Sequence, residues 1–120
     1  MATILVVDDS ASLRNMVVFT LKQRGYDVVE AADGEEALSK AREAVCDLVL
    51  TDVNMPIMDG ILLCSELRKL PSFKFTPILM LTTENSSEMK QKGRAAGATG
   101  WLVKPFNPET LLSTLKRVVR

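Results

Sequence analysis

Apolar runs and helically spaced segments alternate along the whole chain. Residues 3–8 contain Ile4-Leu5-Val6-Val7, an unbroken apolar run of the kind expected for a strand buried on both faces. Residues 10–24 take helical spacing, with Leu13, Met16, Val17, Thr20 and Leu21 on one face, and Gly25 stands where a helix commonly ends. Residues 26–31 alternate more, with Asp27 and Glu30 outward, which predicts an edge strand. Asp33-Gly34 opens a second helix to about residue 45, with Ala37, Leu38 and Ala41 inward. Residues 47–52 predict a third strand and 59–70 a third helix. Pro77 suits the start of a fourth strand over 77–82 because it lacks a backbone donor. Residues 86–97 predict a weak helix, which has Gly93 inside it and only Met89, Ala95 and Ala96 as apolar contacts. An interior glycine costs about 0.5–1 kcal/mol relative to alanine, so this element is a candidate for movement. Residues 99–104 form a fifth strand, and Pro108 opens a last helix with Leu111, Leu112, Leu115, Val118 and Val119 inward.

Five strand–helix units with short links predict a three-layer α/β sandwich over a single domain, residues 1–120, with right-handed crossovers. Four of the strand-like runs end in a residue that can do chemistry: Asp8 and Asp9, Asp52, Thr82, and Lys104. The second run ends in plain Ala31-Ala32. In an open parallel sheet, ligands sit beyond the carboxyl ends of the strands. A strand order of 2-1-3-4-5 would leave the odd strand at an edge and gather the polar tips in one crevice.

Composition narrows what such a crevice can do. With 15 basic and 15 acidic residues the formal charge is zero, so charge alone predicts no binding to nucleic acid or membrane. No apolar stretch approaches the roughly 20 residues of a membrane span, and no signal pattern precedes the first strand, so a cytoplasmic protein is expected. Cys46 and Cys64 are too far apart for a CxxC pair and read as reduced core thiols. The chain has no histidine, which removes Ser-His-Asp and Cys-His catalysis, His-based zinc sites and any role as a phosphohistidine donor.

Three carboxylates, a hydroxyl and an amine suit metal-assisted phosphoryl transfer. Asp52 can act as the nucleophile, since carboxylates form aspartyl-phosphate intermediates. Asp8 and Asp9 suit Mg²⁺, a hard cation that takes carboxylates and waters. Three unpaired carboxylates about 5 Å apart would repel by about 3 kcal/mol per pair at an effective dielectric of 20, and a cation relieves this. Lys104 supplies positive charge, Thr82 a donor hydroxyl, and Asn54 a backbone carbonyl within reach of a metal. Taken singly, each residue also fits a duller role: Asp9 or Ser10 as a helix cap, Asp52 as a solvated strand end, Lys104 as a surface lysine before Pro105.

The motifs ILVVDDS, TDVNMPIMDG, LTTE and KPF, taken together, resemble a response-regulator receiver domain of the chemotaxis CheY-like single-domain type, and the match runs along essentially the whole chain. The resemblance implies a flavodoxin-like fold with Asp52 as phosphoacceptor. It implies Mg²⁺ bound by Asp8, Asp9, Asp52 and the Asn54 carbonyl, with Thr82 and Lys104 on the phosphoryl oxygens. Lys104-Pro105 would be a cis peptide. Trp101 falls at the aromatic switch position, where Tyr or Phe is more usual. Glu84 sits where the family tunes dephosphorylation, and Thr83 stands where a small residue is common.

On this reading the chain autocatalyses only its own phosphorylation and dephosphorylation. A histidine kinase or phosphotransfer protein would be the donor. A flagellar motor switch component would be one output partner and a phosphatase another partner, with the chain acting as a monomer. Phosphorylation would draw Thr82 toward the new oxygens, let Trp101 turn inward and change the surface of helix four, strand five and helix five. Lys90, Lys92, Arg94, Lys116 and Arg117 make that surface basic. Val18 and Phe19, off the inward face of helix one, would offer an apolar docking point for the donor. Three rivals are weaker. A phosphatase of the haloacid dehalogenase type needs Asp-x-Asp after the first strand, whereas Asp8-Asp9 is followed by Ser10-Ala11. A nucleotide- or flavin-binding module would want glycine in the first loop, which reads DDSASLR. A phosphorylation-blind domain would lack one of the key residues. The chain would also look the same if it were the receiver fragment of a larger regulator.

Overall fold

The computed structural model describes residues 2–83 and 86–118. In chain order the elements are β1 (Thr3–Val7), α1 (Ala11–Gln23), β2 (Asp27–Ala31), α2 (Gly34–Ala41), β3 (Leu48–Asp52), α3 (Gly60–Leu67), a 3-10 turn (Pro71–Phe73), β4 (Ile78–Thr82), α4 (Ser87–Ala96), β5 (Gly100–Val103) and α5 (Pro108–Val118). The strands form one parallel sheet in the order β2-β1-β3-β4-β5, as the distribution of polar tips predicts. β1, β3 and β4 are central, and from Ile4 onward their residues are buried.

Strand alternation divides the interior into two layers. Leu5, Val7, Val49, Ile78 and Met80 face α2 and α3, where they meet Ala37, Leu38, Ala41, Leu63, Cys64 and Leu67. Ile4, Val6, Leu48, Leu50, Leu79 and Leu81 face α1 and α5 and meet Val17, Val18, Leu21, Leu111 and Leu115. Both cysteines are free and buried, and burial pushes their thiols up. Among the described residues no helix is long and apolar enough to cross a membrane.

The helices begin where short polar side chains accept backbone N–H groups. Ser10 accepts from Leu13, Asp33 from Glu36, Asp59 from Leu62, Ser86 from Met89 and Asn107 from Thr110. Ser10 is therefore the cap of α1, which leaves Asp9 out of that role. Gly25 and Gly97 follow α1 and α4 with φ of 86° and 104°, the left-handed closure that glycine allows.

Several expectations need correction. Val18 is 7% exposed and belongs to the α1–α5 layer, so only Phe19, at 64% exposure, projects from that side of α1. α1 turns a broader face inward than an ideal stripe because both α5 and the sheet pack on it. The second helix ends at Ala41 rather than near residue 45, and Val45 is exposed. Residues 68–70 leave α3 before the Pro71 turn, since the residue before proline disfavours helix. Glu30 is half-buried, paired with Arg14 at 3.4 Å. On α4, Ala95 is exposed, while Gly93 is the buried residue. Val119 lies outside the described residues.

α3 starts so close to β3 that Gly60 has no space for a side chain: a Cβ there would collide with the backbone carbonyl of Asp52. The Gly60 N–H also donates to Val53 O at 2.9 Å, so this contact fixes the chain just beyond Asp52. Gly60→Ala is expected to destabilise the protein by about 1–3 kcal/mol, because backbone must move to admit the methyl. Urea denaturation measures this, and an unchanged midpoint would show that the contact is loose.

Candidate functional site

The ends of β1, β3, β4 and β5 meet at one edge of the sheet. Asp52 closes β3 and is 7% exposed, and Asp8, immediately after β1, is 1% exposed. Asp9 is exposed. One carboxylate oxygen from each of Asp8, Asp9 and Asp52 lies within 4.8 Å of the others. The Lys104 ammonium, 14% exposed, reaches Asp52 Oδ1 at 3.1 Å and Asp8 Oδ2 at 3.4 Å. The predicted carboxylates and the lysine are thus brought together from positions almost a hundred residues apart.

Backbone hydrogen bonds hold each group in place. Asp8 N–H donates to Ala31 O at 3.2 Å, and Asp8 Oδ1 accepts from Ser10 N–H at 2.9 Å. Val53 N–H donates to Leu81 O at 3.0 Å, locking the residue after Asp52 onto β4. Lys104 N–H donates to Thr82 O at 2.8 Å, and the Lys104–Pro105 peptide is cis, as expected. Thr82 ends β4 with no exposed surface, so its backbone is joined to the residue whose ammonium spans the carboxylates. Thr83 is exposed beside it, and Asn54 is exposed in the bend after β3. Trp101 is half-buried on β5, opposite Met80. Glu84 lies outside the described residues.

Arg14 is a contributor that sequence reasoning missed. Its guanidinium donates to the Asp8 carbonyl at 2.6 Å while Nε faces Glu30. It pins the turn from which Asp8 and Asp9 project. The only sequence signal is a basic residue one turn into the first helix, close behind a pair of aspartates.

Electrostatics mark Asp52 as the unusual carboxylate. Burial pushes its carboxyl above the ordinary range, the nearby Lys104 pulls it back, and Asp8 and Asp9 add to the rise. Three carboxylates against one ammonium leave two negative charges on the cluster. The donor set is entirely hard oxygen, which suits a small divalent cation such as Mg²⁺ and not a soft metal. A shielded carboxylate oxygen beside such a site can attack an electrophilic phosphorus, and the lysine can take up the arriving charge.

A phosphoacceptor-like cleft at the carboxyl ends of a 2-1-3-4-5 sheet defines a class, and comparison with known proteins identifies the family. Residues 4–116 match the model of the response regulator receiver domain, and the chain belongs to that family: it is a receiver domain of a two-component response regulator. The chemotaxis protein CheY4 of Vibrio cholerae superposes with a TM-score of 0.97 at 60% identity, covering 99% of both chains. The receiver domain of the sensor histidine kinase PA1611 from Pseudomonas aeruginosa PAO1, whose structure has a magnesium ion coordinated in the active site cleft, superposes with a TM-score of 0.90 at 29% identity, covering 98% of this chain and 96% of that one. Among curated relatives, PilG of Pseudomonas aeruginosa is 36% identical over 94% of this chain and 84% of its own length. PhoP of Bacillus subtilis, a transcriptional regulatory protein of alkaline phosphatase synthesis, is 42% identical over 98% of this chain. The chain spans about half the length of PhoP (48%).

Two outcomes are expected of the metal-free protein. Burial raises the Asp52 pKa in the fold, so the folded state favours its protonated form. Wild-type stability relative to Asp52→Asn should therefore be greatest below the ordinary aspartate value of 3.8 and fall as pH rises through the raised folded value. Denaturation of both proteins in chelator from acid to neutral pH measures this; a difference independent of pH would refute it. Asp9→Asn should melt higher than wild type without metal, because it removes one repelling charge, and should gain less on adding Mg²⁺. A lower metal-free melting temperature for the variant would refute the repulsion.

Proposed function

We propose that this chain is a phosphorylation-activated response regulator acting in chemotaxis, with Asp52 as the phosphoacceptor. The observation that carries this reading is the buried Asp52 carboxylate, 3.1 Å from the Lys104 ammonium and within 4.8 Å of two further carboxylates. A carboxylate oxygen of Asp52 attacks phosphorus on a phosphohistidine of a kinase or phosphotransfer protein. The P–N bond breaks, the imidazole leaves with the electron pair, and an acyl phosphate remains on Asp52. The residues fit Mg²⁺, which Asp8, Asp9, Asp52 and the Asn54 carbonyl would hold and which, when bound, neutralises phosphoryl charge. Lys104 exchanges its contact with the Asp52 carboxylate for one with the phosphoryl oxygens, and the Thr82 hydroxyl turns to donate to another. Water later takes the phosphoryl group from Asp52, with Thr83 and Glu84 setting access and rate. The chain acts only on its own aspartate and is not an enzyme for other substrates.

Because Thr82 and Lys104 share a backbone hydrogen bond, their movement is transmitted along β4 and β5. Trp101, three residues before Lys104, responds, and the surface of α4, β5 and α5 changes between two packings. That surface is basic and would suit an acidic partner segment, such as one on a flagellar motor switch component. A phosphatase completes the cycle, and a cytoplasmic monomer is the working form. The likeness to CheY4 supports the chemotaxis role. The match to only about half of PhoP supports a second reading, that the chain is the receiver part of a larger regulator.

The central test is chemical. A small phosphodonor with Mg²⁺ should label wild type and leave Asp52→Asn unlabelled. Lys104→Met should lower the labelling rate by roughly 10²-fold, the scale of losing one preorganised electrostatic contact. In wild type, beryllofluoride with Mg²⁺ should change the fluorescence of Trp101, the one tryptophan in the chain. Labelling that survives in Asp52→Asn would overturn the assignment of the acceptor.

A further inference from the structure

Gly93 sits in the interior of α4, where glycine is a poor helix former, and it is the one buried residue of that helix among those described. Its backbone is not in the left-handed region that would call for glycine; Gly25 and Gly97 are the glycines with positive φ. The constraint comes from across the gap to β5. A Cβ on residue 93 would lie 2.5 Å from Cζ3 of Trp101, 3.2 Å from Cη2 and 3.5 Å from Cε3. Two atoms of one rigid ring would be too close and the third in ordinary contact, and a rigid ring has no flexible tip to turn aside. The indole has somewhere else to go. Beside it lies an open recess of about 260 Å³ lined by Lys90, Arg94, Ala98, Thr99, Gly100 and Trp101 itself.

We propose that Gly93 is the seat of Trp101: the missing side chain on α4 accepts the bulky indole at the switch position and so sets the balance between its two placements. Gly93 is a positioning residue, acting on the site through Trp101. The inference rests on the reading of Trp101 as the switch residue, but the seat itself can be tested in the unliganded protein. It joins two features of the chain. An aromatic wider than Tyr or Phe at residue 101 is matched by a residue with no side chain at 93. A ring held against α4 also couples that helix to β5, the strand that leads to Lys104.

The experiment compares Gly93→Ala in two backgrounds, wild type and Trp101→Phe. With tryptophan present, the alanine should move emission to longer wavelength and raise quenching by acrylamide, while far-ultraviolet circular dichroism stays unchanged. It should also lower the melting temperature, or leave it level. In the Trp101→Phe background the same alanine should raise the melting temperature, because the narrower ring frees the space and helix propensity then acts alone. The affinity for beryllofluoride with Mg²⁺, read from the rise in melting temperature, should shift by roughly threefold or more with tryptophan present and stay the same with phenylalanine. A shift of either sign supports the seat, and its sign tells which placement Gly93 favours. Unchanged emission, together with an equal rise in melting temperature in both backgrounds, would overturn the proposal. Failure of the switch reading looks different. Beryllofluoride would then bind wild type without changing Trp101 emission, although Gly93→Ala still moved that emission in the free protein.

Discussion

The Lys104 ammonium, shared between Asp52 and Asp8 at 3.1 and 3.4 Å, is the contact on which the rest of the site depends. Aspartates held close together in a folded protein repel, and burial of Asp8 and Asp52 removes the water that would screen them. One lysine relieves that repulsion only in part, and the charge left over suits the cluster to a divalent cation. A second fixed lysine would have made the carboxylates comfortable and inert. The fold sustains this incomplete neutralisation by placing the three carboxylates on or just after two central strands, β1 and β3.

That placement follows from the parallel sheet. Backbone bonds from Asp8 to Ala31, from Val53 to Leu81 and from Lys104 to Thr82 tie each strand tip to a neighbour, so the groups cannot separate without breaking the ladder. The supports differ in strength from one side to the other. β1, β3 and β4 are buried, and α3 presses directly on the Asp52 carbonyl at Gly60. β5 is a partly exposed edge strand, covered by a helix whose buried residue is a glycine. Asp52 is therefore mounted on the rigid half of the molecule, and Lys104 on the softer half.

Much of this is legible in the residues. The unbroken apolar runs at Ile4–Val7 and Ile78–Leu81 can be satisfied only by strands covered on both faces, and a set of such strands linked by helices admits few topologies. Strand order came from chemistry, since Ala31-Ala32 had nothing to offer the crevice. What local pattern could not reveal were contacts between distant segments. Val18 looks peripheral on a helical stripe until α5 is packed against α1. Arg14 is an ordinary helix cation until the turn holding Asp8 is folded over it. Gly93 reads as a weakness of its helix, because nothing in its neighbourhood along the chain announces the indole that fills the space.

Gly93 also bears on what softness means in this fold. The N-terminal end of α4 is capped by the Ser86 hydroxyl and packs Met89 against the core, and its C-terminal end is firmly clasped. Arg68, at the end of α3, donates through Nε at 3.1 Å and Nη2 at 2.8 Å to the carbonyl of Gly97, and through Nη1 to Phe73 and Thr76 at 2.7 and 2.6 Å. A guanidinium at a helix C-terminus is favoured by the helix dipole as well as by its hydrogen bonds. One end of α4 is thus bound to the rigid half through α3 and the start of β4, while its middle rests on Trp101 through a missing side chain.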